Sequence, residues 1–164
     1  MVEPDPQVLL RTFLAELAGA DGDLGYMHES LPAMTEFVKE FAAPGFECVM
    51  RGLPPTPPVT HAGIGGIEAG WRDYGSAFEG VAAKLVEIRE SDVHTVVIVD
   101  QQAKTRHGGV PISQPSAMVW AFENGRITRV EFHLDRIEAL RVAGLEPYSS
   151  LAKEREVQLG VSRA

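Results

Sequence analysis

Asn124-Gly125 sits between two apolar-rich runs, SAMVWAFE and RITRVEFHLD. A tight two-residue hairpin turn needs positive φ at both central residues, and Asn and Gly adopt it at least cost. The dipeptide therefore sets two antiparallel strands before any other element is placed. Pairing Glu123 with Arg126 puts Phe122 opposite Ile127, Trp120 opposite Arg129, Met118 opposite Glu131 and Ser116 opposite His133. One face is then expected to carry Met118, Trp120, Phe122, Ile127, Arg129, Glu131, His133 and, if the strand runs on, Asp135. The other carries Ala117, Val119, Ala121, Val130, Phe132 and Leu134 and reads as plain core. A face that mixes large apolar groups with ionisable ones is how a ligand cavity or a subunit interface looks.

Two more strands precede the hairpin, over residues 82–90 and 93–106, joined at Ser91-Asp92. VHTVVIVD is rich in β-branched residues, as a buried central strand should be. A further strand spans Phe46 to Arg51. Helices come before them. Asp5-Pro6 is a good helix opening, with Asp as N-cap and Pro at the first helical position, and Val8, Leu9, Phe13, Leu14 and Leu17 follow at helical spacing. Ser30 is placed to cap a second helix through Met34, Phe37, Val38 and Phe41, and Ile67, Trp71, Tyr74 and Phe78 make one stripe of a third. GADGDLGY and the proline-bearing GLPPTPPVTHAGIGG read as connectors. DRIEALRVAGLE is a short closing helix. Helices bunched early and strands after them predict an α+β fold rather than a wound parallel sheet.

A chain of 164 residues makes one domain, expected over residues 1–150, with a charged tail over 151–164. With 15 Lys and Arg against 23 Asp and Glu, the net charge of −8 argues against a nucleic-acid partner, whose phosphates need a basic surface. Cys48 is the single cysteine, so no intramolecular disulfide can form, and an inert, half-buried thiol is expected. No run approaches the roughly 18–20 apolar residues of a membrane span. MVEPDPQ is acidic and proline-bearing, unlike a signal peptide, so a cytoplasmic location is expected.

The layout resembles the nuclear transport factor two-like superfamily in its SnoaL-like branch, over roughly residues 8–146. The carrying residues are WRDYGSAF, the strand VVIV and the terminal VWAFENGRITRVEFHLDRIEALRVAGL. The resemblance implies a cone, with a strongly curved antiparallel sheet wrapped around the N-terminal helices and a cavity inside. It also implies a homodimer, since such sheets commonly pair across their convex faces. Ketosteroid isomerases, polyketide cyclases, limonene epoxide hydrolases, scytalone dehydratases and non-catalytic binding modules share this fold, so fold alone does not choose among them.

The resemblance to polyketide cyclases makes Asp135 a candidate base, because in those enzymes an Asp ending the last strand abstracts a proton beside a carbonyl. A carboxylate in an apolar pocket has its pKa raised, which suits that role. Asp135-Arg136-Ile137-Glu138 is also D-x-x-E at a helix start, so Asp135 reads equally as an N-cap. His133, two residues earlier on the same face, is a candidate proton shuttle or ligand contact. Trp71, Tyr74, Met118, Trp120 and Asp100 are candidate cavity residues.

Other chemistries find less support. His94, Asp100 and Arg106 share strand parity, but Asp100 and Arg106 are six residues apart, roughly 20 Å at strand rise, unlike the closely spaced pair of limonene epoxide hydrolases. The first helix has Phe13 and no Tyr, against steroid isomerisation. The five histidines, including His28, His61 and His107, are scattered without metal-ligand spacing, so no metal and no cofactor is expected. His61 and His107, in glycine- and proline-bearing loops, are expected to be solvated. The leading expectation is a protein binding a small apolar or carbonyl-bearing molecule, with cofactor-free proton transfer by Asp135 and His133. The alternative is a non-catalytic ligand-binding or interaction module of the same fold.

Overall fold

Asp5 opens helix α1 (Pro6–Leu17) as expected, its carboxylate accepting from the Gln7 N–H at 2.9 Å. The computed structural model describes residues 3–52 and 55–147, so the tail expected over 151–164 lies outside the described residues. Strand β1 (Asp23–Tyr26) follows a short 3-10 turn, and helix α2 (Met27–Phe41) begins three residues before Ser30. Instead of capping that helix, the Ser30 hydroxyl donates to the Leu24 carbonyl at 2.7 Å, and Pro32 sits inside it at the loss of one helical N–H bond. Strands β2 (Ala42–Arg51) and β3 (Val59–Ala62) lead to helix α3 (Gly66–Gly75). Gly66 is required there, because a Cβ would lie 2.6 Å from the His61 carbonyl oxygen. Phe78 leaves the helical stripe to begin β4 (Phe78–Glu90), while its ring stays 5.1 Å from that of Tyr74. Strands β5 (His94–Thr105), β6 (Pro111–Glu123) and β7 (Arg126–His133) and helix α4 (Arg136–Val142) complete the order.

The seven strands form one curved, unclosed sheet in the order β1-β4-β5-β6-β7-β2-β3. Neighbours are antiparallel except β2 and β7, which run parallel, so the sheet is mixed. Irregular register in β1, β2 and β4 bends the strands, as bulges do. On the concave side α1, α2 and α3 bury Leu10, Leu14, Met34, Val38, Ile67 and Trp71 against Cys48, Val97, Val99, Met118, Trp120, Val130 and Phe132. On the convex side Ile137, Ala139 and Leu140 of α4 pack on Val96, Ile98, Ala117 and Val119. The part of the second apolar face around Val96, Ile98, Ala117 and Val119 is thus covered within the chain.

The hairpin turn forms as read, with φ of 51° at Asn124 and 72° at Gly125. Its register holds for only two pairs, Glu123 with Arg126 and Phe122 with Ile127. Beyond a bulge, Ala121 faces Arg129, Trp120 faces Val130, Val119 faces Glu131, Met118 faces Phe132 and Ala117 faces His133. The expected face is corrected accordingly: Arg129, Glu131 and His133 leave the side of Met118 and Trp120, and Val130 and Phe132 take their place. Thr128 is the extra residue, and its hydroxyl donates to the Ala121 carbonyl at 3.2 Å. A one-residue slip moves every later side chain to the other face, and placing Val130 and Phe132 rather than Arg129 and Glu131 in the apolar core under the helices favours it.

Candidate ligand cavity

Strand alternation on β5 aims Val97, Val99 and Gln101 into the cone, and β6 adds Ser116 and Met118. With Leu14 of α1, Met27 and Met34 of α2, Trp71 and Tyr74 of α3 and Phe132 of β7, Val99, Gln101, Ser116 and Met118 line a cavity of about 190 Å³. Its wall is almost wholly apolar. Trp71 sets its indole edge-to-face against both Tyr74 and Phe132, with ring centroids 5.4 and 5.0 Å apart. The Tyr74 hydroxyl donates to Gln101 Oε1 at 2.9 Å, and burial pushes the phenol pKa up. Trp71 Nε1 and Ser116 Oγ, also on this wall, are buried without a hydrogen-bond partner among the described residues. No carboxylate lies among the described lining residues.

At one end the lining includes Arg51, Gly52, Thr56, Pro57 and His133. The same five residues line an adjoining cleft, together with Asp135 and Glu138. Arg51 Nε donates to Glu131 Oε1 at 2.5 Å, and His133 Nε2 lies 3.8 Å from Glu131 Oε2, within ion-pair range but beyond a hydrogen bond. Burial pushes the Glu131 carboxyl up, yet His133 and Arg51 together outweigh it and hold the group at about 2. Burial lowers the His94 pKa, opposed by the charge of Glu131.

The expected site residues separate. Trp71, Tyr74 and Met118 line the cavity. Trp120 is fully buried behind it, edge-on to Phe37 at 6.2 Å. Asp100 falls on the convex side with an ion pair to Arg136 at 2.5 Å, and Gln101 takes the inward position. His133 stands at the junction of cavity and cleft. Asp135 lines only the cleft, and its Oδ1 accepts from the Ile137 and Glu138 N–H groups at 3.0 and 3.3 Å as the N-cap of α4. Cys48 is fully rather than half buried, which pushes its thiol up to about 12. The His61 side chain is only 19% exposed, and it pairs with Asp73 at 3.3 Å rather than standing in solvent.

Gln101 and Arg51 were not among the sequence candidates. The signal for Gln101 was present in β5: alternate residues Val97, Val99 and Gln101 continue one apolar face. Arg51 carries no such signal, because its role comes from the parallel pairing of β2 with β7. Among the described residues no group of three His, Cys, Asp or Glu side chains could hold a metal ion, and no helix is long and apolar enough to cross a membrane.

No family model and no curated protein matches this chain. Solved structures do. A protein from Jannaschia described as a SnoaL-like polyketide cyclase aligns with a TM-score of 0.56 at 12% identity, over 90% of this chain and 99% of its own. An NTF2-like protein of unknown function from Burkholderia pseudomallei gives 0.54 at 19% identity, over 86% and 98%. TerC, co-crystallised with polyporic acid, gives 0.53 at 16% identity, over 87% and 99%. Likeness at such identities is one of fold, and this chain has a nuclear transport factor two-like α+β fold.

Proposed function

We propose that this chain binds a small, largely apolar molecule inside the cone. The observation that carries the reading is the apolar cavity of about 190 Å³ between α1, α2, α3 and the sheet. An apolar protein cavity of about 150 Å³ already accepts benzene, so this one has room for a one- or two-ring body. The co-crystal of TerC with polyporic acid supports small-molecule binding by a similar fold. Proton transfer is the second reading, favoured by His133 standing where the cavity meets the cleft that holds Asp135. Binding is the better supported of the two, because the Asp135 carboxylate caps α4 and the cavity wall carries no carboxylate among the described residues. We also propose a homodimer and a cytoplasmic location. Exposed Val86 and Val93, near the β4–β5 turn, supply apolar surface that a second copy would cover.

The test is thermal denaturation with a panel of one- and two-ring hydrocarbons and ketones. A ligand at 100 times its Kd adds about 2.7 kcal/mol, or roughly 5–10 °C for a chain of this size. Ala83→Phe, which fills the cavity wall opposite Gln101, is expected to abolish the shift. No shift with any compound, or an equal shift in the filled variant, overturns the reading.

A further inference from the structure

We infer that the cavity has no fixed shape: its methionines re-pack around the occupant, so that it takes apolar ring bodies of several sizes, three fused rings included. This rests on the binding reading above and names the residues that set how wide a range of ligands the site accepts.

The distribution of methionine carries the inference. The chain has five, and apart from Met1 all of them, Met27, Met34, Met50 and Met118, line this one cavity. They reach it from three elements. Met27 and Met34 are seven residues apart on α2 and so share one side of that helix. On the sheet, Phe132 of β7 pairs with Met118 of β6 on one side and with Met50 of β2 on the other. Residues paired directly across strands lie on one face, so the two thioethers flank the Phe132 ring on the concave side. Met50 also packs against α3, where a Cβ at Gly70 would stand 2.9 Å from its Sδ. The helix side and the sheet side of the cavity therefore both carry methionine.

The rest of the wall is stiffer. Trp71 is set edge-to-face against both Tyr74 and Phe132, and the Tyr74 hydroxyl is tied to Gln101 Oε1. Val99 branches at Cβ, which restricts it to few rotamers. Methionine is unbranched and polarizable, with three rotatable bonds, so it can follow an occupant's outline while helix and strand stay in place. Methionines that merely filled irregular gaps would be spread through both apolar layers. The layer under α4, around Val96, Ile98, Ala117 and Val119, has none among the described residues.

The test is titration of the full chain, carbon-13-labelled on its methionine methyls, with toluene, naphthalene and fluorene. Fluorene exceeds the room in the cavity at rest, yet it is expected to bind no more weakly than toluene, because the added apolar burial outweighs the re-packing. The methyl carbons of Met27, Met34, Met50 and Met118 should shift, and by different amounts with each probe. Combining Met34→Leu with Met118→Leu keeps the volume and stiffens both sides of the cavity. That variant should hold toluene within about threefold and weaken fluorene by about tenfold or more. If it loses toluene as well, Met34→Leu and Met118→Leu singly make the same comparison. Fluorene excluded while toluene binds, methionine methyls unmoved by a bound probe, or leucine variants with the original size range would each overturn the adaptable cavity and leave the binding reading standing. Failure of all three probes to bind overturns both.

Discussion

Glu131→Gln should remove much of the acid sensitivity of folding. The Glu131 side chain is 3% exposed, and it faces the Arg51 guanidinium at 2.5 Å and the His133 imidazole at 3.8 Å, with His94 feeling its charge from β5. Burial alone would raise its pKa, but these partners hold it at about 2 against an ordinary 4.5. A carboxyl depressed in the folded state contributes stability that is present above its unfolded value and lost as pH falls through the folded one. Each tenfold change in proton affinity is worth about 1.4 kcal/mol, so the contribution is roughly 3 kcal/mol at neutral pH, disappearing between about pH 4.5 and pH 2. That is a large part of the total of roughly 5–15 kcal/mol that holds a domain together. Glutamine keeps the shape and loses the charge. Urea unfolding from pH 7 to pH 2 should show the variant less stable by a few kcal/mol at pH 7, with the two curves converging near pH 2. Parallel curves, separated by the same amount at every pH, would refute the argument, because the difference would then be packing rather than charge.

Asp135 and Cys48 give two further tests. Asp135→Ala should lower stability by about 0.5–2 kcal/mol through loss of the α4 cap, while Asp135→Asn, nearly as good a cap, should be almost silent in urea unfolding; equal losses in both would contradict the capping role. Both variants should retain ligand binding, and loss of turnover on a bound substrate in Asp135→Asn alone would instead favour proton transfer. Cys48, fully buried with its thiol pushed up to about 12, should resist iodoacetamide until the chain unfolds. Light scattering at micromolar protein should read twice the monomer mass of 17.8 kDa, and the monomer mass would rule out the homodimer.

Elements with strong local signals were legible. The Asn124-Gly125 turn, the Asp5-Pro6 helix start and the β-branched run of β5 each combine a pattern with a steric reason. β1 and β3 were not legible, because four-residue strands at the two edges of a sheet need no buried period of their own and lie in turn- and proline-rich sequence. The hairpin faces depart from the register of the turn for a physical reason. Apolar residues at 127, 130 and 132 break the two-residue period by one, which is how a bulge looks in sequence, and extending the turn register rigidly hid it. The same parity rule separates Asp100, outside with Arg136, from Gln101, inside the cavity. Trp71, Tyr74 and Met118 were legible as cavity residues because helix stripe and strand face both pointed inward. Arg51 and Glu131 come together only through the parallel β2–β7 pairing, a long-range contact with no local trace.

The most direct measurement is a crystal structure of the full chain soaked with α-tetralone. The account predicts density for the compound enclosed by Leu14, Met34, Met118 and Phe132. A soaked crystal with that cavity free of ketone, or with ketone bound only on the outer surface, would contradict it.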